Sequence, residues 1–327
     1  MPEVFCLSRN TEGTLRALAE IRTYVLSRAV EIAKRKKTKA LKAAPVASYY
    51  DFSTMRYISP SAALILASIY HRAKEIAGYR LHTVNEGEWD DGVRETLLSV
   101  GFHELLEMKK PRPDSGNKTG IIVQKFISGN QAEGEPVGKL QEALARLLPD
   151  PLGDKLRDAE PYGGMFEAVL NSHNWAYPGG LEWDYPPLRN WWLTGAVDVA
   201  AGRVTVAVFD QGVSIPVSLP HWEHWGRLEH RAKRLLARAG LTSPINDPSN
   251  DGYAIRLAMT ISKSRTNLPQ HGKGLHTMIE VAERARYGRL RIISRNGGYV
   301  WQTGSRPTAA AYKDSIGGTL VEWTLDL

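Results

Sequence analysis

The first apolar pattern in the chain is a stripe at three- and four-residue steps: Leu15, Leu18, Ile21, Val25, Ala29 and Ile32. That spacing lines one face of a helix. It predicts one helix over residues 11–43, broken before Pro45. Such a stripe must pack on the body of the protein or on a second copy of itself. Residues 46–52 then read as a strand. Ser59-Pro60 reads as a helix start, a capping hydroxyl followed by proline at the first helical position. The helix running to Ala77 turns Leu64, Ile65, Ala67, Ile69 and Tyr70 inward. Residues 79–84 are a second expected strand, and 91–100 another helix, closed by Gly101. Strands alternating with helices indicate an α/β unit.

Residues 109–120 (KKPRPDSGNKTG) are polar and hold proline and glycine, as a linker would. Beyond them, 121–127 reads as a strand, and 136–148 and 164–177 as helices. Strands rich in β-branched and aromatic residues follow at 203–209, 289–294, 299–303 and 319–325. The stretch between Ser214 and Gln270 carries few strand signals.

Composition changes this picture little. The chain of 327 residues is 43% hydrophobic and 24% charged, values ordinary for a globular protein. No apolar run approaches the ~20 residues of a membrane span. The opening residues show no basic region leading into an apolar stretch, so no secretory signal is expected. Cys6 is the only cysteine, which excludes an internal disulfide and a cysteine-rich zinc site. A cytoplasmic location is the expectation. The net charge of +7 is concentrated in Arg28, Lys34, Arg35, Lys36, Lys37, Lys39 and Lys42, set against Glu31. Nucleic acid is a conceivable partner for this segment, from Arg28 to Lys42. A solvated helix end is the favoured reading, because basic residues suit a helix C-terminus and no aromatic residue is interleaved for stacking.

Four short segments of the second half carry candidate chemistry. Glu167 and Asn171 are four apart on an expected helix and so share a face. The Asn171 amide oxygen suits Mg2+, a hard ion that often takes only one or two protein oxygens beside phosphate and water. Glu167, one turn away, is placed to orient or deprotonate an attacking group. Asp210 ends an apolar strand, where a carboxylate can accept a hydrogen bond from the exocyclic amine of adenine and repel the carbonyl of guanine. Gly212 lets backbone lie against the ring. Gly272, Lys273 and Gly274 precede a helix opening at Leu275, where amides can hold phosphate. Thr319 opens the last strand after Gly317-Gly318 and can bond to Asp210, or to adenine through water. His221 and His224, with Glu223 and His230 nearby, are a weaker candidate for a metal site.

Taken in order, Glu167-Ala-Val-Leu-Asn171, Asp210-Gln-Gly212-Val-Ser214, Gly272-Lys273-Gly274-Leu275 and Gly317-Gly318-Thr319 resemble the boxes of the GHKL superfamily of ATPases and kinases. The texture is nearest the anti-sigma-factor serine-kinase branch. The resemblance covers roughly 160–327. It implies a Bergerat α/β sandwich with a mixed sheet, ATP and Mg2+ as ligands, and a lid within 215–273. It assigns Glu167 as catalytic base, Asn171 as Mg2+ ligand and Asp210 as adenine reader, with Gly272 and Gly274 as phosphate cradle. Ser214 departs from the pattern, standing where a second glycine is usual, and Trp175 stands where close relatives often carry histidine. No segment resembles a phosphoacceptor-histidine helix pair.

Upstream, Tyr50-Asp51-Phe52-Ser53, Ile58-Ser59-Pro60-Ser61-Ala62, Leu81-His82-Thr83-Val84 and Gly101-Phe102-His103-Glu104-Leu105 resemble a STAS domain. Ser61 falls at the phosphoacceptor position of such domains, although an ordinary second residue of a helix is the better reading. The expected organisation is an N-terminal helix over 1–44, a STAS-like domain over 45–112 and a GHKL domain over 113–327. The expected function is an ATP-binding switch with slow hydrolysis, acting on a protein partner or through a homodimer. The alternative is a serine/threonine kinase acting on a separate STAS-like protein.

Overall fold

The computed structural model describes residues 1–38, 50–78, 81–108, 120–222, 225–263 and 274–327. The long stripe forms helix α1 (Thr11–Lys37), with Leu15, Leu18, Ile21, Val25 and Ala29 all buried. It packs along α2 (Pro60–Ala77), so the stripe is covered within the chain. Ser59 caps α2 as its sequence implies, its hydroxyl accepting the Ala62 N–H at 3.3 Å. Ala62 through Tyr70 are buried without a break, so α2 is enclosed on every side rather than along one stripe.

The strands expected at 46–52 and 79–84 are corrected where they are described. Only a parallel bridge, Asp51 to Val84, remains of them. Asp51 instead turns the chain, accepting the Ser53 N–H at 2.9 Å and the Asn85 amide at 2.9 Å. The short parallel pair in this half joins β1 (Val4–Phe5) to β2 (Tyr57–Ile58). Helices α3 (Asp91–Ser99) and α4 (Phe102–Leu105) follow, α3 capped by the Asp90 carboxylate. All but Gly120 of the expected linker lies outside the described residues.

The second half is built on one large sheet. Its strands are β3 (Ile121–Val123), β4 (Ile127–Gly129), β5 (Trp191–Asp198), β6 (Arg203–Asp210), β7 (Tyr287–Ser294), β8 (Gly297–Gln302), β9 (Thr308–Ala311) and β10 (Thr319–Asp326). The spatial order is β3-β5-β6-β10-β7-β8-β9, with β4 also on β5. Every pairing in this sheet among the described residues is antiparallel, which corrects the expected mixed sheet. The reason is topological. Short connections make β5–β6, β7–β8 and β8–β9 antiparallel neighbours, and β10 inserts between β6 and β7, which would otherwise meet in parallel. The single expected strand at 121–127 is two short ones, β3 and β4. Strand β5 was not foreseen at all.

Both faces of the sheet are buried. On one face, Val204, Val206 and Val208 of β6, Leu290 and Ile292 of β7, and Val321, Trp323 and Leu325 of β10 form a core. It is shared with α5 (Gly134–Ala145), α6 (Leu152–Arg157), α7 (Ala159–Trp175), α10 (Asp251–Lys263) and α11 (Gly274–Glu283). On the other face, Trp192, Ala196, Ala207, Phe209, Ile293 and Leu320 pack into one core with α1 and α2. The two-residue period of each strand makes this division, and it explains why these strands read as nearly continuous apolar runs. The 211–286 crossover also carries α8 (Ile215–Ser218) and α9 (Trp225–Arg238).

Candidate functional site

Strand alternation decides which side chains meet at the end of β6. Asp210 is in register with Thr319, and Thr319 with Ser294, so all three end neighbouring strands on the α7 face. Gln211, one residue on, points to the opposite face. There its side-chain oxygen accepts a hydrogen bond from Arg72 of α2 at 3.2 Å. Two adjacent residues thus face opposite ways, Asp210 to α7 and Gln211 to α2.

A row of small residues, four apart, runs along α7 to its C-cap: Gly164 faces α11, and Ala168, Ser172 and Ala176 line the cleft at this strand end. A Cβ on Gly164 would lie 2.3 Å from Val281 of α11, and one on Gly212 would lie 2.4 Å from the Ala176 carbonyl. The first contact lets α7 and α11 close together. The second gives Gly212 a role the sequence reading did not: it lets the loop after β6 lie on the end of α7, where Val213 N–H bonds to the Ala176 carbonyl at 2.8 Å.

The Asp210 carboxylate is 5% exposed and well provided with donors. Gly212 N–H reaches Oδ1 at 2.8 Å, and the Ser172 hydroxyl lies 3.1 Å from Oδ2. Burial pushes the carboxyl up to about 6, against the hydrogen bonds from Gly212, Ser172 and the Thr319 backbone, which pull it down. The Thr319 side chain does not turn to Asp210. It sits 2.8 Å from the Ser294 hydroxyl, which also accepts the Ile215 N–H. Gly318 is needed at φ +153, because a Cβ there would lie 1.8 Å from the Asp210 carbonyl.

Glu167 and Asn171 share a face of α7, as their spacing requires. The Asn171 amide N–H donates to Glu167 Oε1 at 3.0 Å, which leaves the amide oxygen available to a cation. Burial raises the Glu167 carboxyl, and the Asn171 hydrogen bond partly lowers it again. No group of three or more His, Cys, Asp or Glu that could hold a metal occurs among the described residues. A cation beside Asn171 would thus take most of its ligands from a phosphate and water, as Mg2+ does. The same finding leaves His221 and His230 without a metal cluster; Glu223 and His224 lie outside the described residues.

Asn171, Asp210, Ser214, Leu275 and Thr319 all line one cleft, with Ser172, Trp175 and Trp222. Gly274 is the first residue of α11. Gly272 and Lys273 lie outside the described residues. Glu167 does not line the cleft and reaches it only through its hydrogen bond with Asn171. Ser172 and Trp222 were missed by sequence reasoning. The four-residue spacing of small residues along α7 is the signal that would have found Ser172. The cleft encloses about 40 Å³, room for water-sized molecules and far below the ~300 Å³ at which ligand clefts begin. Trp175 and Trp222 line it with their ring centroids 6.3 Å apart.

Ser214 holds the unusual backbone of the site, with φ +84 and ψ 159, a region nearly reserved for glycine. A non-glycine residue there costs roughly 1–3 kcal/mol. The departure noted in the sequence is thus a strained one. Ser61 is 1% exposed in the first turn of α2, with its hydroxyl 3.3 Å from Ser59. No helix among the described residues is long and apolar enough to cross a membrane. No family model matches this chain, and neither a curated protein nor a solved structure matches it.

Proposed function

We propose that this chain is a GHKL-type ATP-binding regulatory protein, with a nucleotide seated between α7, α11 and the ends of β6 and β10. The observation that carries the reading is the buried Asp210 carboxylate. It faces a cleft whose other walls hold Asn171, Thr319 and the first turn of α11. Asn171, Asp210, Leu275 and Thr319, which line that one cleft, are scattered over some 150 residues of sequence and each suits a part of Mg-ATP.

The residues divide the work by chemistry. Asp210 accepts a hydrogen bond from an exocyclic amine and disfavours a carbonyl in its place. The Asn171 amide oxygen serves a Mg2+ ion, which when bound neutralises phosphate charge. Glu167, held by Asn171, orients or deprotonates the attacking water. Backbone N–H groups at the start of α11 favour an anion. The cleft must widen to admit a purine, and 215–222, which reaches α7 through Trp222 and Trp175, is the segment we assign to that movement. That movement, and the Arg72–Gln211 contact to α2, give nucleotide occupancy a route to the N-terminal half. The STAS-like reading of that half, and a partner or second copy as its target, belong to the same proposal.

Calorimetry of the full chain with ATP and Mg2+ tests this. Binding that is abolished in Asp210→Asn, with GTP bound weakly or not at all, is the expected result. Labelled ATP then shows whether phosphate passes to water or to a protein hydroxyl. No heat of ATP uptake would remove the reading.

A further inference from the structure

Two residues that line the cleft each carry a buried polar atom with no hydrogen-bond partner: Ser214 Oγ and Trp222 Nε1. Ser214 is 5% exposed, so its hydroxyl is shut away from bulk water. Polar groups left in this condition are rare and mark a missing partner, either ordered water or a ligand. Both lie in the same cleft as Asp210, and Ser214 is held there on a strained backbone that a glycine would adopt freely.

Their chemistry narrows what that partner is. Indole N–H only donates, so Trp222 requires an acceptor. A hydroxyl can donate as well as accept. Asp210 only accepts while ionised, and beyond the bonds from Gly212 and Ser172 its oxygens can take a further donor but offer none. The set therefore fits a ring edge that offers an amine donor flanked by acceptor nitrogens. Adenine has that edge, with N6 between N1 and N7. Guanine has a carbonyl in place of the amine and an N–H in place of N1.

Resting on the ATP reading above, we propose that Ser214 and Trp222 are specificity-determining residues that bond acceptor atoms of the adenine ring while Asp210 takes its amine. Trp222 is the more consequential of the two. It belongs to the 215–222 segment, so a bond from its indole ties the base to the position of that segment. A second aromatic ring of the cleft lining, Trp175, stands 6.3 Å from it.

The test pairs deletions on both sides of the bond. Calorimetry is run on the full chain and on Trp222→Phe and Ser214→Ala, each with ATP, 1-deaza-ATP, 3-deaza-ATP and 7-deaza-ATP. One lost neutral hydrogen bond weakens binding roughly three- to tenfold. The expected result is that each variant loses this much for ATP. At least one deaza analogue should lose it with the wild-type chain but nothing further with the matching variant. Thermal melting of the free variants confirms that they remain folded. Wild-type ATP binding with both variants unchanged would mean that water satisfies the two atoms, and would overturn this inference while leaving the ATP reading intact. Equal losses for every analogue in wild type and variants would also overturn it. No binding of ATP to the wild-type chain would remove both.

Discussion

Asp210→Asn separates the two consequences of placing an acid at the base of this cleft. The carboxyl is pushed from 3.8 up to about 6, burial being the leading cause. The folded chain therefore holds this proton more tightly than the unfolded chain does. The resulting stability is fully present below pH 3.8 and is lost as pH rises through 6. A gap of about two pH units corresponds to roughly 3 kcal/mol, and about half of that falls between pH 5 and 8. Asparagine has the same shape, can still accept from Gly212, and does not titrate. The unfolding free energy of Asp210→Asn, less that of the parent chain, is expected to rise by roughly 1.5 kcal/mol from pH 5 to pH 8. Urea denaturation of both proteins across that range measures it, with midpoint and slope fitted at each pH. The absolute sign of the difference is not the test, because the substitution also alters hydrogen bonds. A difference that stays flat, or falls with pH, would refute the claim that this acid is buried without a compensating cation.

Three other substitutions probe the same region. Ser214→Gly is expected to raise the unfolding free energy by roughly 1 kcal/mol or more, since it relieves the positive-φ strain; a lower melting temperature would contradict the strain. Gly212→Ala brings a methyl group onto the Ala176 carbonyl and is expected to cost roughly 1–3 kcal/mol in chemical denaturation. A variant as stable as the parent would show that the loop has another way to lie on α7. Glu167→Gln keeps the hydrogen bond to Asn171 and should leave ATP affinity near the parent value. Phosphate release should fall by roughly 100-fold or more, and undiminished turnover would take the base role from Glu167.

Much of the second half was legible in the sequence because its signals were local. Strands β6, β7, β8 and β10 are runs of β-branched and aromatic residues, and α7 carries Glu167 and Asn171 at helical spacing. Strand β5 was not legible. Its run Trp-Trp-Leu-Thr-Gly-Ala-Val-Asp contains Gly195, which ordinarily weakens a strand. The glycine is there because a Cβ would lie 2.5 Å from Leu144 of α5, a contact no local pattern reveals. Strand β9, Thr-Ala-Ala-Ala, has little strand propensity and follows from pairing with β8. The stripe of α1 showed that the helix must pack, but not on what. The unbroken apolar run in α2 held the better clue, since a helix buried all round belongs in the middle of a structure. The pairing of Arg72 with Gln211 joins residues 139 apart, and nothing near either one announces it.

The back of the sheet has a practical consequence. Trp192, Phe209, Ile293 and Leu320 share one core with α1 and α2, and α2 lies directly on β5 and β6. A fragment starting near residue 120 would expose that greasy wall to solvent, and association or precipitation would follow. Arg72 would go with the excised piece, stripping Gln211 of its tether. Whatever binds in the cleft has to be studied in a chain that still carries its first hundred residues.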